Sequence, residues 1–85
     1  MENSTPSDEQ LITRIAEGDT KAFELLYDRY AAIVMGLASK TLQDTGSAEE
    51  VILETFWRVW CHADLIQSHS VKFVDWLSIT VYSLL

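Results

Sequence analysis

Phe23-Glu24-Leu25-Leu26-Tyr27-Asp28-Arg29-Tyr30-Ala31-Ala32-Ile33-Val34-Met35-Gly36-Leu37 is the stretch that decides the fold. Its residues Phe23, Leu26, Tyr27, Tyr30, Ile33, Val34 and Leu37 recur at intervals of three and four, the repeat of one helical face and not the alternation of a strand. Lys21, Glu24, Asp28 and Arg29 fall between these positions, which leaves the opposite face to water. Just upstream, Asp19 can cap the helix; downstream, Gln43-Asp44-Thr45-Gly46 should break it after about Leu42. Gly36 inside it either weakens the helix or lets a neighbour approach closely.

Working outward, Ser7 and Gln10 have the spacing of a capping box before Leu11 and Ile12, so a short first helix should run from there to Gly18. Met1 to Ser7 reads as a loose tail, with one domain over residues 8–85. Ser47 and Glu50 repeat the capping-box spacing, and Glu49 and Glu50 suit the positive end of a helix dipole. The third helix is expected over roughly Ala48 to Ala63, with a core face through Ile52, Phe56, Val59, Trp60 and Ala63. That arc leaves Leu53 and Trp57, four residues apart, on a flank outside the core face. Asp64 to Ser70 reads as a loop. Ser70 would then cap a last helix from Val71, burying Phe73, Trp76, Leu77, Thr80, Val81 and Leu84. The fold class is therefore all-α, a small bundle of about four helices.

Composition narrows the function classes. With 85 residues, 48% of them hydrophobic, three Gly and one Pro, the chain folds as a single domain and is not a disordered segment. Six basic against thirteen acidic residues give a net charge of −7, opposite to the whole-chain signature of a nucleic-acid binder. Any DNA contact must be local or partner-assisted. The single cysteine, Cys61, cannot form an intramolecular disulfide and is expected to pack within its Trp-rich run. Neither a secretory signal nor an apolar run near 20 residues is present, so a cytoplasmic protein with no membrane partner is expected.

Catalytic chemistry is thinly represented. The sequence offers no Gly-rich phosphate loop and no nucleophile elbow. Cys61 and His62 are adjacent and diverge by about 100° on a helix, and His62 and His69 lack the i, i+4 spacing of a helical zinc pair. Glu50 and Glu54 share a helix face but have no histidine partner, which suits a solvated or partner-facing acidic strip. An enzyme is the least supported class, and no metal or cofactor is implied.

Three segments together resemble the second region of extracytoplasmic-function (ECF) sigma factors. The first is Asp8-Glu9-Gln10-Leu11-Ile12-Thr13-Arg14-Ile15-Ala16-Glu17-Gly18-Asp19, followed by Ala22-Phe23-Glu24-Leu25-Leu26-Tyr27-Asp28-Arg29-Tyr30. The second is Ala48-Glu49-Glu50-Val51-Ile52-Leu53-Glu54-Thr55-Phe56-Trp57-Arg58-Val59-Trp60, and the third is Phe73-Val74-Asp75-Trp76-Leu77-Ser78-Ile79. The resemblance spans about Asp8 to Tyr82 and implies a sigma region 2 bundle that joins RNA polymerase and takes part in minus-ten promoter recognition.

In that family the third helix docks on the coiled-coil clamp helices of the polymerase β′ subunit. Carried over, the docking residues are Glu50, Leu53, Glu54 and Trp57, with Leu53 standing where the family usually has Gln. The Leu53–Trp57 flank either strengthens a helix-on-helix contact, serves a second copy or an anti-sigma protein, or packs under the N-terminal helix. The implied DNA-facing residues are Gln67, Ser68, His69, Ser70, Lys72 and Tyr82, with Trp76 either stacking on a base or packing in the core. Here the sequence departs from the family: Lys72 is the one Lys or Arg between Asp64 and Leu85, and Thr80-Val81-Tyr82 stands where the family usually reads Ala-Arg-Asn. The alternative is a protein-interaction module of the same fold that has lost DNA binding. The abrupt apolar end, with no second helical domain following, suggests a fragment of a longer protein or else a free-standing domain.

Overall fold

Ser7 accepts a hydrogen bond on its hydroxyl from Gln10 N–H at 3.1 Å, while Ser7 N–H donates to the Gln10 side-chain oxygen at 2.8 Å. This reciprocal pair is the expected capping box, and it starts α1, Asp8–Ala16. The computed structural model describes residues 5–68 and 72–85. Three further helices follow, α2 over Thr20–Leu42, α3 over Thr45–Ser68 and α4 over Phe73–Leu84, with no strand among the described residues. The all-α reading of the sequence therefore holds.

The link between α1 and α2 is a tight reversal. Gly18 N–H donates to Ile15 C=O at 2.9 Å and Asp19 N–H to Arg14 C=O at 3.0 Å, the paired bonds that close a helix through a left-handed residue. Gly18 supplies that residue, at φ 89°. Asp19 then caps α2, accepting from Lys21 and Ala22 N–H at 3.0 and 3.2 Å, and accepts from Arg14 Nε at 2.9 Å. At the far end Gln43 adopts the left-handed conformation and closes α2 after Leu42, as expected.

The core lies where α1, α2 and α3 meet, with α4 packed on α3. Leu11, Ile12 and Ile15 of α1 face Ala22, Leu26, Val34 and Ala38 of α2 and Ala48, Ile52, Phe56 and Val59 of α3, all buried. Aromatic edges stitch the antiparallel α2 and α3: Phe23 meets Trp60 at a centroid distance of 5.4 Å, and Tyr27 meets Phe56 at 4.8 Å. Phe73, Leu77, Thr80 and Val81 form the buried side of α4, with Trp76 and Leu84 partly covered.

Five local expectations are corrected. Ile33 is 58% exposed rather than on the buried face; α1 reaches along α2 from Asp19 to Tyr30, marked by the Arg14–Asp19 and Asp8–Arg29 ion pairs, and Ile33 lies beyond that cover. α3 starts at Thr45 and not Ala48, because Asp44 takes the capping role, accepting from Gly46 N–H at 3.1 Å and from the Ser47 hydroxyl at 2.9 Å. Asp64 to Ser68 is helical and not loop: the backbone kinks at His62 (φ −118°, ψ 20°), and the helix resumes so that Ile66 is buried one turn past Ala63. α4 starts at Phe73 with Lys72 in the N-cap position and no side-chain cap; Ser70 and Val71 lie outside the described residues. Cys61 is exposed, because it follows Trp57 by one turn on the outer arc of α3. Gly36 has open space where a Cβ would be, so no neighbour approaches it closely.

Candidate functional site

The sequence points to two surfaces; α3 carries the first, and the second lies where α3 meets α4. Its buried arc through Ala48, Ile52, Thr55, Phe56 and Val59 is anchored on α1 and α2. Thr55 satisfies its own hydroxyl by donating to Val51 C=O at 2.7 Å, so the packed side carries no unpaired polar group. The opposite arc is thereby fixed toward solvent. Glu50, Leu53, Glu54 and Trp57 all fall on it, and all are exposed, Leu53 by 66% and Trp57 by 61%. The option that Leu53 and Trp57 pack under the N-terminal helix is excluded. Glu54 accepts from Arg58 Nε at 2.9 Å in an i, i+4 pair, which fixes one carboxylate of this face.

The exposed Trp and Leu on one helix face, rimmed by carboxylates, leave an uncovered apolar and acidic patch.

The second surface is the junction of α3 with α4. Gln67 and Ser68 sit exposed in the last turn of α3, where the Ser68 hydroxyl donates back to Leu65 C=O at 3.1 Å. His69 and Ser70 lie outside the described residues. Lys72 faces a cleft of about 520 Å³ that it shares with Gln67, with Asp8, Glu9 and Thr13 of α1, and with an apolar floor that includes Ile12, Ile66 and Phe73. Gln67 and Lys72 are thus brought together. Tyr82, exposed on α4, is ten residues from Lys72, about 15 Å along the helix, and is not part of that cleft. Trp76 is half-buried against Phe73 and shares a shallow groove with Arg58, His62, Leu65, Ile66 and Thr80.

Charge at this end is sparse. Arg58 is taken up by Glu54, and Asp64 and Asp75 flank Lys72 in sequence. The acidic α1 side of the cleft, absent from any sequence expectation, comes from the N-terminal residues Asp8 and Glu9. Asp8 is held by Arg29 Nη1 at 2.8 Å and accepts from the Tyr30 hydroxyl, while Arg29 Nη2 donates to Pro6 C=O at 2.9 Å. Burial, and then the bond to Asp8, push the Tyr30 phenol up to about 12. The Asp19 carboxyl is held below the usual range by the Ala22 N–H and then by Arg14. Among the described residues no three His, Cys, Asp or Glu side chains gather as a metal site would require, and no helix is long and apolar enough to cross a membrane.

Among the described residues, four helices carry one exposed apolar and acidic face on α3 and one cleft of mixed polarity at the α3–α4 junction. Residues 26–84 match the Sigma-70 region 2 family, and the chain belongs to that family. Among its curated relatives, the ECF RNA polymerase sigma factor SigK of Mycobacterium tuberculosis is 36% identical over 67 residues, covering 79% of this chain and 36% of the relative. The SigK protein of Mycobacterium bovis matches to the same extent. That of Mycobacterium sp. (strain KMS) is 33% identical over 67 residues, 79% of this chain and 35% of the relative. The chain spans about a third of the length of the curated relatives it matches. No solved structure matches it significantly.

Proposed function

We propose that this domain works as region 2 of an ECF-type sigma factor in transcription initiation, docking on the β′ clamp helices of RNA polymerase and contributing to recognition of the promoter minus-ten element. The observation that carries the docking half is the exposed Glu50, Leu53, Glu54 and Trp57 face in a chain of the Sigma-70 region 2 family. The β′ helices are the partner, and the acidic rim favours basic positions among them. Gln67 and Lys72, with Ser68, His69 and Ser70 in the same stretch, are the contacts assigned to single-stranded DNA, and Tyr82 contacts DNA farther along α4. Only Lys72 among these brings a formal charge, so the DNA contribution is small alone and gains its weight from polymerase docking. The reading assigns no catalytic group and no cofactor.

The test is binding of the domain to a purified β′ clamp-helix fragment, with and without single-stranded minus-ten DNA, at two salt concentrations. Fragment binding with a further gain from DNA is the expected result. Fragment binding with no DNA gain would remove the promoter half of the proposal, and absence of fragment binding would remove its centre. In the last case an anti-sigma protein or self-association would be the remaining occupant of the Leu53 and Trp57 face.

A further inference from the structure

Asp8, Arg29 and Tyr30 form a clasp between the start of α1 and the middle of α2. Arg29 uses both terminal nitrogens, one on the Asp8 carboxylate at 2.8 Å and one on Pro6 C=O at 2.9 Å, so the acceptor itself is held still. The remaining Asp8 oxygen takes the Tyr30 hydroxyl. The Tyr30 ring lies 5.4 Å from the ring of Phe73, the first residue of α4, at an interplanar angle of 59°.

Among the described residues, few polar contacts hold the start of α4. Lys72 provides no side-chain cap, and the Asp75 and Trp76 N–H groups both converge on the Lys72 carbonyl at 3.1 Å. Its anchor is the Phe73 side chain, 1% exposed and the bulkiest of the fully buried ones. Among the described residues, the aromatic partner of Phe73 beyond its own helix neighbour Trp76 is Tyr30. A ring tethered at its hydroxyl tip to a fixed carboxylate is a defined wall; a ring without the tether is free to tilt.

We infer that Asp8 and Tyr30 are positioning residues for the DNA-facing end: the Asp8–Tyr30 bond fixes the ring on which the first turn of α4 is seated, and so sets where Lys72 sits. The mechanical part stands on the geometry above, and the DNA part rests on the function proposed above. α1 thereby acts on the minus-ten surface from 65 positions away in the chain, the separation of Asp8 and Phe73 (73 − 8).

The experiment uses the full chain and Tyr30→Phe, which keeps the ring and the Asp8–Arg29 ion pair. Amide hydrogen exchange should rise about tenfold at Trp76 and Leu77, near the start of α4, with Phe56 and Val59 of α3 unchanged. Asp8→Ala should raise the same two amides, and adding Tyr30→Phe to it should raise them no further. Binding to the β′ clamp fragment should stay at the wild-type level, while the gain from single-stranded DNA falls several-fold. Unchanged exchange at Trp76 and Leu77, or an equal rise throughout α3 and α4, overturns the inference. A DNA gain that survives Tyr30→Phe overturns its functional part. Wild-type protein that shows no DNA gain overturns the proposed function instead, and the exchange data still decide the coupling.

Discussion

Replacing Leu53 and Trp57 together by alanine separates docking from folding. Trp57 has 61% of its surface in water, roughly 150 of the ~250 Å² an indole can bury, which at ~25 cal/mol per Å² sets a ceiling of about 4 kcal/mol for covering it. Leu53, 66% exposed, adds about 1–2 kcal/mol on the same scale. Association entropy and imperfect desolvation take back part of this, so the measured loss should fall near 2–4 kcal/mol, about 30- to 1,000-fold in Kd for the β′ clamp fragment. Folding stability should move by no more than about 0.5 kcal/mol, since neither side chain contributes to the buried core. Calorimetric titration gives the first number and urea denaturation the second. A Kd change below threefold, or a stability loss above about 2 kcal/mol, would refute the assignment of this flank to a partner.

Other outcomes follow from the same geometry. Phe73→Ala should cost about 3–5 kcal/mol by chemical denaturation, a large share of the roughly 4–13 kcal/mol expected for a chain of this length. Tyr30 gives an alkaline signature: its folded-state value of about 12 against an unfolded 10.0 means the stabilisation is complete below pH 10 and disappears as pH climbs through 12. Tyr30→Phe should flatten that part of the wild-type stability profile. Asp19 behaves oppositely, because its depressed value adds stability above about pH 3.8 that is lost as pH falls through the folded-state value; thermal melts of Asp19→Asn should lack this acid-side dependence. The DNA gain in the clamp complex should have a shallow salt slope, about −0.7 in log–log form for one phosphate contact, and Lys72→Ala should bring it near zero.

Features governed by chemistry within five residues were legible in the sequence. The Ser7–Gln10 capping box, the Gly18 reversal and the Asp19 cap all appear where the residue types put them, because a cap is a local hydrogen-bond problem. The start of α3 was harder, since Asp44 and Ser47 are both capping types three apart, and in the fold the serine donates to the aspartate instead of accepting from the backbone. The end of α3 was decided by tertiary packing: Leu65 and Ile66 alone make no periodic signal, yet burying Ile66 keeps the polar Asp64 to Ser68 stretch helical past the kink. The exposure of Leu53 and Trp57 follows from drawing the α3 core arc through Ile52, Phe56 and Val59. The Asp8, Arg29 and Tyr30 clasp left no trace in the sequence, because its members lie 21 and 22 positions apart and obey no helical or strand period.

The three arginines have a consequence for how the domain searches for its targets. Arg14, Arg29 and Arg58 are each locked onto a carboxylate of the same chain, at Asp19, Asp8 and Glu54. Half of the six cationic side chains are thus consumed internally, in a chain of net charge −7, and the DNA contact proposed above would have to be made against that charge. Long-range attraction, which accelerates encounter and supports sliding along duplex DNA, is replaced here by repulsion. Under the proposed function, the unattached domain would spend little time on irrelevant sequence, and its residence on DNA would begin once the polymerase holds it there. Economy of search would then come from withholding affinity rather than from sharpening base recognition.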